Sequence, residues 1–285
     1  MLGNALVACR VQVERVLIVD DGSHESALSS LRELAYKTGC SLLELRSNLG
    51  IAVAQNKGIA QAKIGGAAHV LLLDQDSVPA PCMVGRLKKA LTVLSESGIA
   101  VAAVGPRLVD RRTEESTPFV RIGVFGVSKK VFREGDKEHL IKTDFLVSSG
   151  MLIPLDMFYR VGLQEEELFI DNVDLEWCFR ARSMGFLLYG VSDAVMEHSV
   201  GDDITTVGTH VIHRHSPLRQ YYIMRNRILL YQRSYSPKGW IVQDFFRMLF
   251  KFTAFSLFFA PRRQNFRMMF KGVKDGLNGR AGKYE

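Results

Sequence analysis

The sequence predicts an α/β protein, a mainly parallel, doubly wound sheet flanked by helices and followed by a basic helical extension. Three observations predict it. Short continuous apolar runs at 16–19 and 70–73 end in acidic turns, Asp20-Asp21-Gly22-Ser23 and Asp74-Gln75-Asp76-Ser77. Helix-length segments separate such runs, the alternation that builds parallel sheets. The composition, 47% hydrophobic and 24% charged, is that of a globular chain and excludes disorder, collagen-like repeats and coiled coil.

Taken in order, residues 2–12 lead as a helix into the first run. The run at 16–19 reads as a buried strand that stops at turn residues. Residues 26–36 have helical patterning, 41–45 form a strand, and 51–63 an Ala-rich helix. The strand at 70–73 is followed by a helix over 81–96, stopped by Gly98, and by a strand at 99–104 before Gly105-Pro106. Residues 111–143 are charged and irregular, as loops and edge strands are. From Phe145 an apolar strand enters Ser148-Ser149-Gly150, and a further run covers 151–154. The acidic patch Glu165-Glu166-Glu167 precedes a helix over 171–184, stopped by Gly185; a strand at 186–189 then leads to Met196-Glu197-His198. Ligands of such sheets bind beyond the carboxyl ends of the strands, where both acidic turns fall. The catalytic unit is expected to span 1–215 and the extension 216–285.

Charge is placed unevenly. The chain carries +7 overall, and residues 214–285 hold 15 Lys and Arg against Asp244, Asp275 and Glu285. A near-neutral to acidic body with a basic, aromatic tail suits an anionic partner. Phe245, Phe246, Phe250, Phe252, Phe255, Phe258, Phe259, Phe266 and Phe270 lie among Arg247, Lys251, Arg262, Arg263 and Arg267. Two readings stand side by side: a helix pair that packs on a core, or an interfacial helix whose aromatics enter the headgroup boundary while its cations meet anionic lipid. No nucleic-acid recognition module is evident, so no nucleic-acid partner is expected. Four scattered cysteines, Cys9, Cys40, Cys82 and Cys178, form no CxxC pair and support neither a disulfide framework nor a cysteine zinc site. With no apolar run long enough to span a bilayer and no leader pattern, the expected place is the cytoplasm, peripheral on the inner face of the cell membrane.

Several acids could carry chemistry. Asp74-x-Asp76 at a strand end can reach one hard divalent cation, Mg²⁺ or Mn²⁺, which would bridge to substrate phosphates. Alone it reads as a pair of turn formers. Asp171 and Asp174 are spaced almost as a capping box on a helix whose dipole favours both charges; the alternative is a carboxylate aimed into a cleft as general base. Glu176 and Arg180 make an ordinary i,i+4 pair. His198 taken alone is more often a satisfied polar residue than a ligand. His210, His213 and His215 match no standard zinc spacing and read as a polar loop.

In order, the strand into Asp-Asp-Gly-Ser, SNLGIAVAQNKGI, LLLDQDSVP, SSGMLI, LFIDNVDLEW, RARSMG, EHSVGD and HSPLRQYYIMRN closely resemble the family 2 glycosyltransferases of the GT-A fold, and more narrowly their rhamnosyltransferase branch. The resemblance implies that Asp21 reads a pyrimidine base, with Asp20 supporting the same turn. It implies that the loop from Asn48 through Gly50 to Asn56 lies along the nucleotide. Asp74 would face the ribose and the metal's waters, Asp76 would ligate the metal with the diphosphate, and His198 would be a further metal ligand. Asp174 would be the catalytic base, with Asp171 as the alternative. The implied donor is dTDP-β-L-rhamnose, or else another nucleotide sugar. The acceptor would be a cell-surface glycan or lipid-linked intermediate, the anionic membrane surface a partner, and the outcome inversion.

That chemistry is coherent. The leaving diphosphate needs its growing charge neutralised, and the acceptor hydroxyl needs a base as the bond forms. The family normally begins with one more strand, carrying base-binding residues, and the sequence as given is expected to lack it. Two other classes fit the residues: a nucleotidyl- or phosphotransferase using the same Asp-x-Asp, without a P-loop Gly-Lys pattern, and a membrane-associated nucleotide-sugar-binding protein impaired in catalysis.

Overall fold

Helix and strand alternate from the first turn, as the local sequence dictates. A computed structural model describes residues 2–284 apart from 112–113, 124–125, 132–138, 199–203, 208–209 and 214; at 198, 204–207 and 210–213 it describes the backbone. The first half runs α1 (Leu2–Arg10), β1 (Leu17–Asp21), α2 (Glu25–Thr38), β2 (Ser41–Leu45), α3 (Ile51–Ile64), β3 (His69–Leu71), β4 (Ser77–Pro79), α4 (Met83–Glu96) and β5 (Val101–Asp110). The hairpin β6 (Phe119–Gly123) and β7 (Gly126–Lys130) precedes β8 (Leu140–Thr143), β9 (Leu152–Pro154), the single turn α5 (Met157–Arg160) and a 3-10 turn Glu166–Leu168. Then come α6 (Val173–Ser183), β10 (Leu187–His198), β11 (Ile204–Val207), β12 (His210–His213), α7 (Pro217–Tyr231), α8 (Lys238–Leu257) and α9 (Arg262–Leu277).

Local chemistry explains the ends. Gly39 adopts a left-handed conformation after α2; its amide donates to the Tyr36 carbonyl and the following Cys40 amide to that of Ala35. Ser216 caps α7 by accepting from Arg219 N, with Pro217 in the first turn. On α4, Met83, Leu87, Ala90, Leu91 and Leu94 make one buried face at helical spacing.

The main sheet has the order β3-β9-β5-β10-β4, with β8 also on β10. It is mixed. Within it β5 and β10 run parallel, whereas β3–β9, β5–β9, β10–β4 and β10–β8 are antiparallel. The expectation of a mainly parallel sheet is corrected here, for a physical reason. A strand buried on both faces is a continuous apolar run whichever way it points, so the pattern does not report direction. β1 and β2 pair parallel as a separate two-stranded sheet.

Two further expectations shift. The run from Phe145 is irregular apart from a bridge to Val120, and the strand of that region is β8, just before it. The strand at 186–189 continues to His198 through register shifts at Leu187/Leu188 and Val191/Val195. Helices cover both faces of the sheet. Trp177, Cys178, Met151, Ile153 and Phe158 pack on the α5–α6 side, and Met83, Leu87, Leu94, Val104 and Met196 on the α4 side. A third cluster, with Leu168, Phe179, Leu229, Leu230 and Trp240, joins α6 to α7 and α8, so the basic extension is packed onto the α/β unit.

Candidate active site

The acids expected to act lie at strand ends, and backbone amides fix several of them. Asp20 Oδ2 accepts from Gly22 N at 3.1 Å and Ser23 N at 3.0 Å, an Asx-type turn that closes β1. The two oxygens of Asp21 accept from Leu49 N at 2.7 Å and Gly50 N at 2.9 Å, which pulls the loop after β2 against the end of β1. Gly50 has φ 94°, and a Cβ there would come within 2.5 Å of the Phe169 carbonyl oxygen. Only glycine allows that approach. The Asn48 carbonyl accepts from Lys283 Nζ at 2.9 Å. Asn56 is buried, and its amide donates to Gln164 O at 3.0 Å and Glu166 Oε1 at 2.9 Å while its oxygen accepts from Gln164 N at 2.9 Å. Asn56 therefore latches α3 to the 164–166 loop. Around the loop expected to follow the nucleotide, Asp21, Gly50 and Asn56 shape the path of the backbone.

Asp74-Gln75-Asp76 forms the turn between β3 and β4. Ser77 N donates to the Asp74 carbonyl at 3.2 Å. Asp74 N donates to Ser149 Oγ at 3.1 Å, and that hydroxyl donates to Ser77 Oγ at 2.8 Å. Both serines are buried, so the turn rests on a rigid polar pair. β4 pairs antiparallel with the end of β10, and Ser77 stands opposite His198. Opposed Cα atoms in such ladders lie about 4.5–5.5 Å apart, so the backbone brings Asp76 and His198 to one corner of the sheet. The His198 side chain lies outside the described residues. Among the described residues, no three His, Cys, Asp or Glu side chains gather as a closed metal site. Two carboxylates on an open turn have the donor chemistry of a hard divalent cation that completes its shell with water and phosphate oxygens.

Asp174 departs from the capping pattern. The N-cap of α6 is Asn172 at φ 62°, and α6 starts at Val173. Asp174, on the first turn, accepts from Leu175 N at 2.8 Å and reaches across to Ser148 N at 3.2 Å. Burial raises its pKa to about 6, against the two amide hydrogen bonds; the nearby Asp74 and Asp171 carboxylates add to the rise. Asp74, Asp171 and Asp174 thus share one neighbourhood.

Asp171 has a different environment. Its carboxylate is gripped by Arg219, with Nε at 3.2 and 3.3 Å from the two oxygens and Nη2 at 3.2 Å from Oδ1. Phe169, Asp171 and Asn172 all have φ between 62° and 65°, so this loop is strained. The buried Asn226 amide holds it, donating to the carbonyls of Leu168 at 2.9 Å, Ile170 at 2.7 Å and Asp171 at 2.9 Å. Arg225, 1% exposed, donates to Leu168 O at 3.0 Å and also reaches Gly282 O. Arg219, Arg225 and Asn226 carried no role in the sequence reading. The available signal was the set of polar residues in the otherwise apolar helix PLRQYYIMRNRILLY.

A central sheet flanked by helices, with Asp74 and Asp76 on the turn after β3 and Asp174 at the start of α6 close to Asp74, is the frame of a GT-A-type fold. The family description "Glycosyl transferase family 2" matches residues 1–162. The chain belongs to glycosyltransferase family 2 and is a glycosyltransferase. It is 30% identical over 268 residues to the dTDP-rhamnosyl transferase RfbF of Shigella flexneri, covering 94% of this chain and 86% of that one. Among solved structures it resembles GalNAc-T7 with UDP, GalNAc and Mn²⁺ (TM-score 0.57, 15% identity, 94% of this chain and 51% of that). It also resembles S. aureus TarS (TM-score 0.57, 16% identity, 97% of this chain and 46% of that). The chain spans about half the length of these two structures, and the likeness to them is one of fold.

Proposed function

We propose that the chain is an inverting, divalent-metal-dependent transferase that moves L-rhamnose from dTDP-β-L-rhamnose to a hydroxyl of a cell-surface or lipid-linked glycan. The relative in Shigella, named as a dTDP-rhamnosyl transferase and matched over most of both chains, supports the donor. The observation that carries the mechanism is Asp174, poised near pH 6 at the strand ends. A base is most effective when its pKa lies near the working pH.

Asp174 takes the acceptor proton as the oxygen attacks the anomeric carbon, from the face opposite the departing nucleoside diphosphate. Asp171 is paired with Arg219, which favours Asp174 over Asp171 as the base. Asp76 and His198 would hold the cation, with Asp74 on the side of its waters. Bound there, Mg²⁺ or Mn²⁺ would neutralise charge growing on the diphosphate. The turn built by Asp20 and the loop tied by Asp21, from Asn48 through Gly50, would seat the thymidine end.

The enzyme would act at an anionic membrane surface. Phe246, Phe250 and Phe258 are 64%, 74% and 71% exposed. Exposed Arg247, Arg262, Arg263 and Arg267 flank them. Aromatics for the headgroup boundary and cations for acidic lipid together favour that occupant.

The test is release of dTDP from dTDP-rhamnose with Mn²⁺. Asp76→Ala should abolish metal-dependent donor binding by calorimetry. Asp174→Asn should keep donor binding and lower turnover at least about a hundredfold. Full turnover by Asp174→Asn would overturn the assignment of the base.

A further inference from the structure

Beyond α9 the helix stops at Gly279, which has φ 68°, and residues 280–284 cross back towards the α/β unit. Each step of that course has a partner. Arg280 N donates to the Asp275 carbonyl at 2.9 Å. Gly282 N donates to the Glu167 carbonyl at 2.6 Å, while Arg225 of α7 donates to the Gly282 carbonyl. Tyr284 N donates to Tyr222 Oη at 2.7 Å, and the Tyr284 ring stands edge-on to Tyr221 with centroids 4.7 Å apart. The ammonium of Lys271 lies 4.2 Å from the centre of the Tyr284 ring. Between the anchors at Gly282 and Tyr284 stands Lys283, whose Nζ reaches the Asn48 carbonyl at 2.9 Å.

The carbonyl of Asn48 and the amide of Leu49 belong to one planar trans peptide unit, so they point in opposite directions. Asp21 Oδ1 takes the amide at 2.7 Å, and Lys283 takes the carbonyl. An anion on one side and a cation on the other hold a single peptide plane. Turning that plane over would aim the carbonyl at the Asp21 carboxylate and the N–H at the ammonium, and both contacts would repel. The next residue, Gly50, is pressed against Phe169, and the Phe169 ring stacks on Tyr222 with centroids 5.0 Å apart. Tyr222 is also the residue that holds Tyr284, so the circuit closes. The 48–50 loop, the strained loop from Phe169 to Asn172 and the segment after α9 lock one another. Lys283 and Asn48 are both exposed, so this link can be cut without opening the core.

We infer that Lys283 is a positioning residue for the donor: it fixes the Asn48–Leu49 peptide in the orientation in which the loop receives the nucleotide. The inference rests on the transferase reading for what that loop binds.

The experiment compares the wild type, Lys283→Met and Lys283→Arg as full chains. Methionine keeps the apolar stem and removes the donors, whereas arginine restores a charged donor. An exposed substitution of this kind should leave the three melting together. In the free protein, hydrogen–deuterium exchange at the Leu49 and Gly50 amides should be about fivefold faster in Lys283→Met, the worth of one exposed charge-assisted bond. Lys283→Arg should exchange at nearly the wild-type rate. Calorimetric titration with dTDP and Mn²⁺ should show affinity falling by about the same factor in Lys283→Met and recovering in Lys283→Arg. The KM for dTDP-rhamnose should rise in step while kcat holds. Unchanged exchange in Lys283→Met overturns the proposal even where dTDP affinity falls, because the lysine would then touch the ligand itself. Faster exchange with unchanged dTDP affinity also overturns it, because the loop so held would then play no part in donor binding. Failure of the wild type to bind dTDP counts against the transferase reading instead.

Discussion

Asp174 is where structure departs most usefully from local sequence logic. By spacing it belongs to a capping box, yet its carboxylate crosses to the Ser148 amide and sits among other acids. Two consequences follow with definite signs. As base it must be ionised, so kcat should rise with pH through about 6 and level off above it, read from initial rates across pH 5 to about 8. Its folded pKa lies above the ordinary value of 3.8, so the unfolded chain gives up the proton first. The folded protein therefore loses stability as pH climbs from about 4 past about 6. Asp174→Asn should melt higher than the wild type at pH 7.5 and lose that advantage near pH 4, in thermal denaturation at both values. None of this was legible in the sequence, because desolvation depends on what α6 packs against.

At the scale of elements, α7 is the back wall of the site. Asn226 and Arg225 hold the 168–171 backbone, and α9 lies close against the same helix. That closeness needs Gly272 and Gly276, where a Cβ would fall 2.4 Å from the Tyr221 carbonyl oxygen and 2.7 Å from Ile228 Cβ respectively. Asn226→Asp replaces the donors to three carbonyls with acceptors, and should destabilise the fold by about 2–3 kcal/mol. It should also raise the KM for the acceptor, checked by denaturant melts and kinetics. Helices α2, α3 and α4 were legible within a few residues, because their apolar spacing and glycine stops are local signals. The N-cap of α6, Asn172 rather than Asp171, and the buried polar face of α7 were not. The latter's hydrogen-bond partners lie about 50 residues away in the chain, beyond the reach of any periodicity.

For the whole molecule, the extension packs on the core, one of the two readings weighed for it, while many of its aromatics stay exposed. Phe255 is buried and Phe252 and Phe259 are partly so, whereas Phe245, Phe246, Phe250, Phe258, Phe266 and Phe270 are exposed. Composition alone could not divide them, since every turn of α8 carries an aromatic. Among the described residues no helix is long and apolar enough to cross a membrane. The expected outcome is flotation with phosphatidylglycerol vesicles at low salt, lost at high salt, and weakened by Phe246→Ser with Phe250→Ser. Sedimentation of the wild type away from such vesicles would remove the membrane assignment. Sheet topology, by contrast, was only half legible. The acidic turns marked the strand ends correctly, while the antiparallel partners β8 and β9 came from runs too short to show direction.

The chain contains two tryptophans, Trp177 within the α/β core and Trp240 on α8, edge-on to Phe179 of α6. Each indole is therefore a built-in optical probe for a different half. With Trp177→Phe, the remaining emission comes from Trp240 alone, and a red shift in it would signal α8 peeling from α6 before the rest of the protein melts.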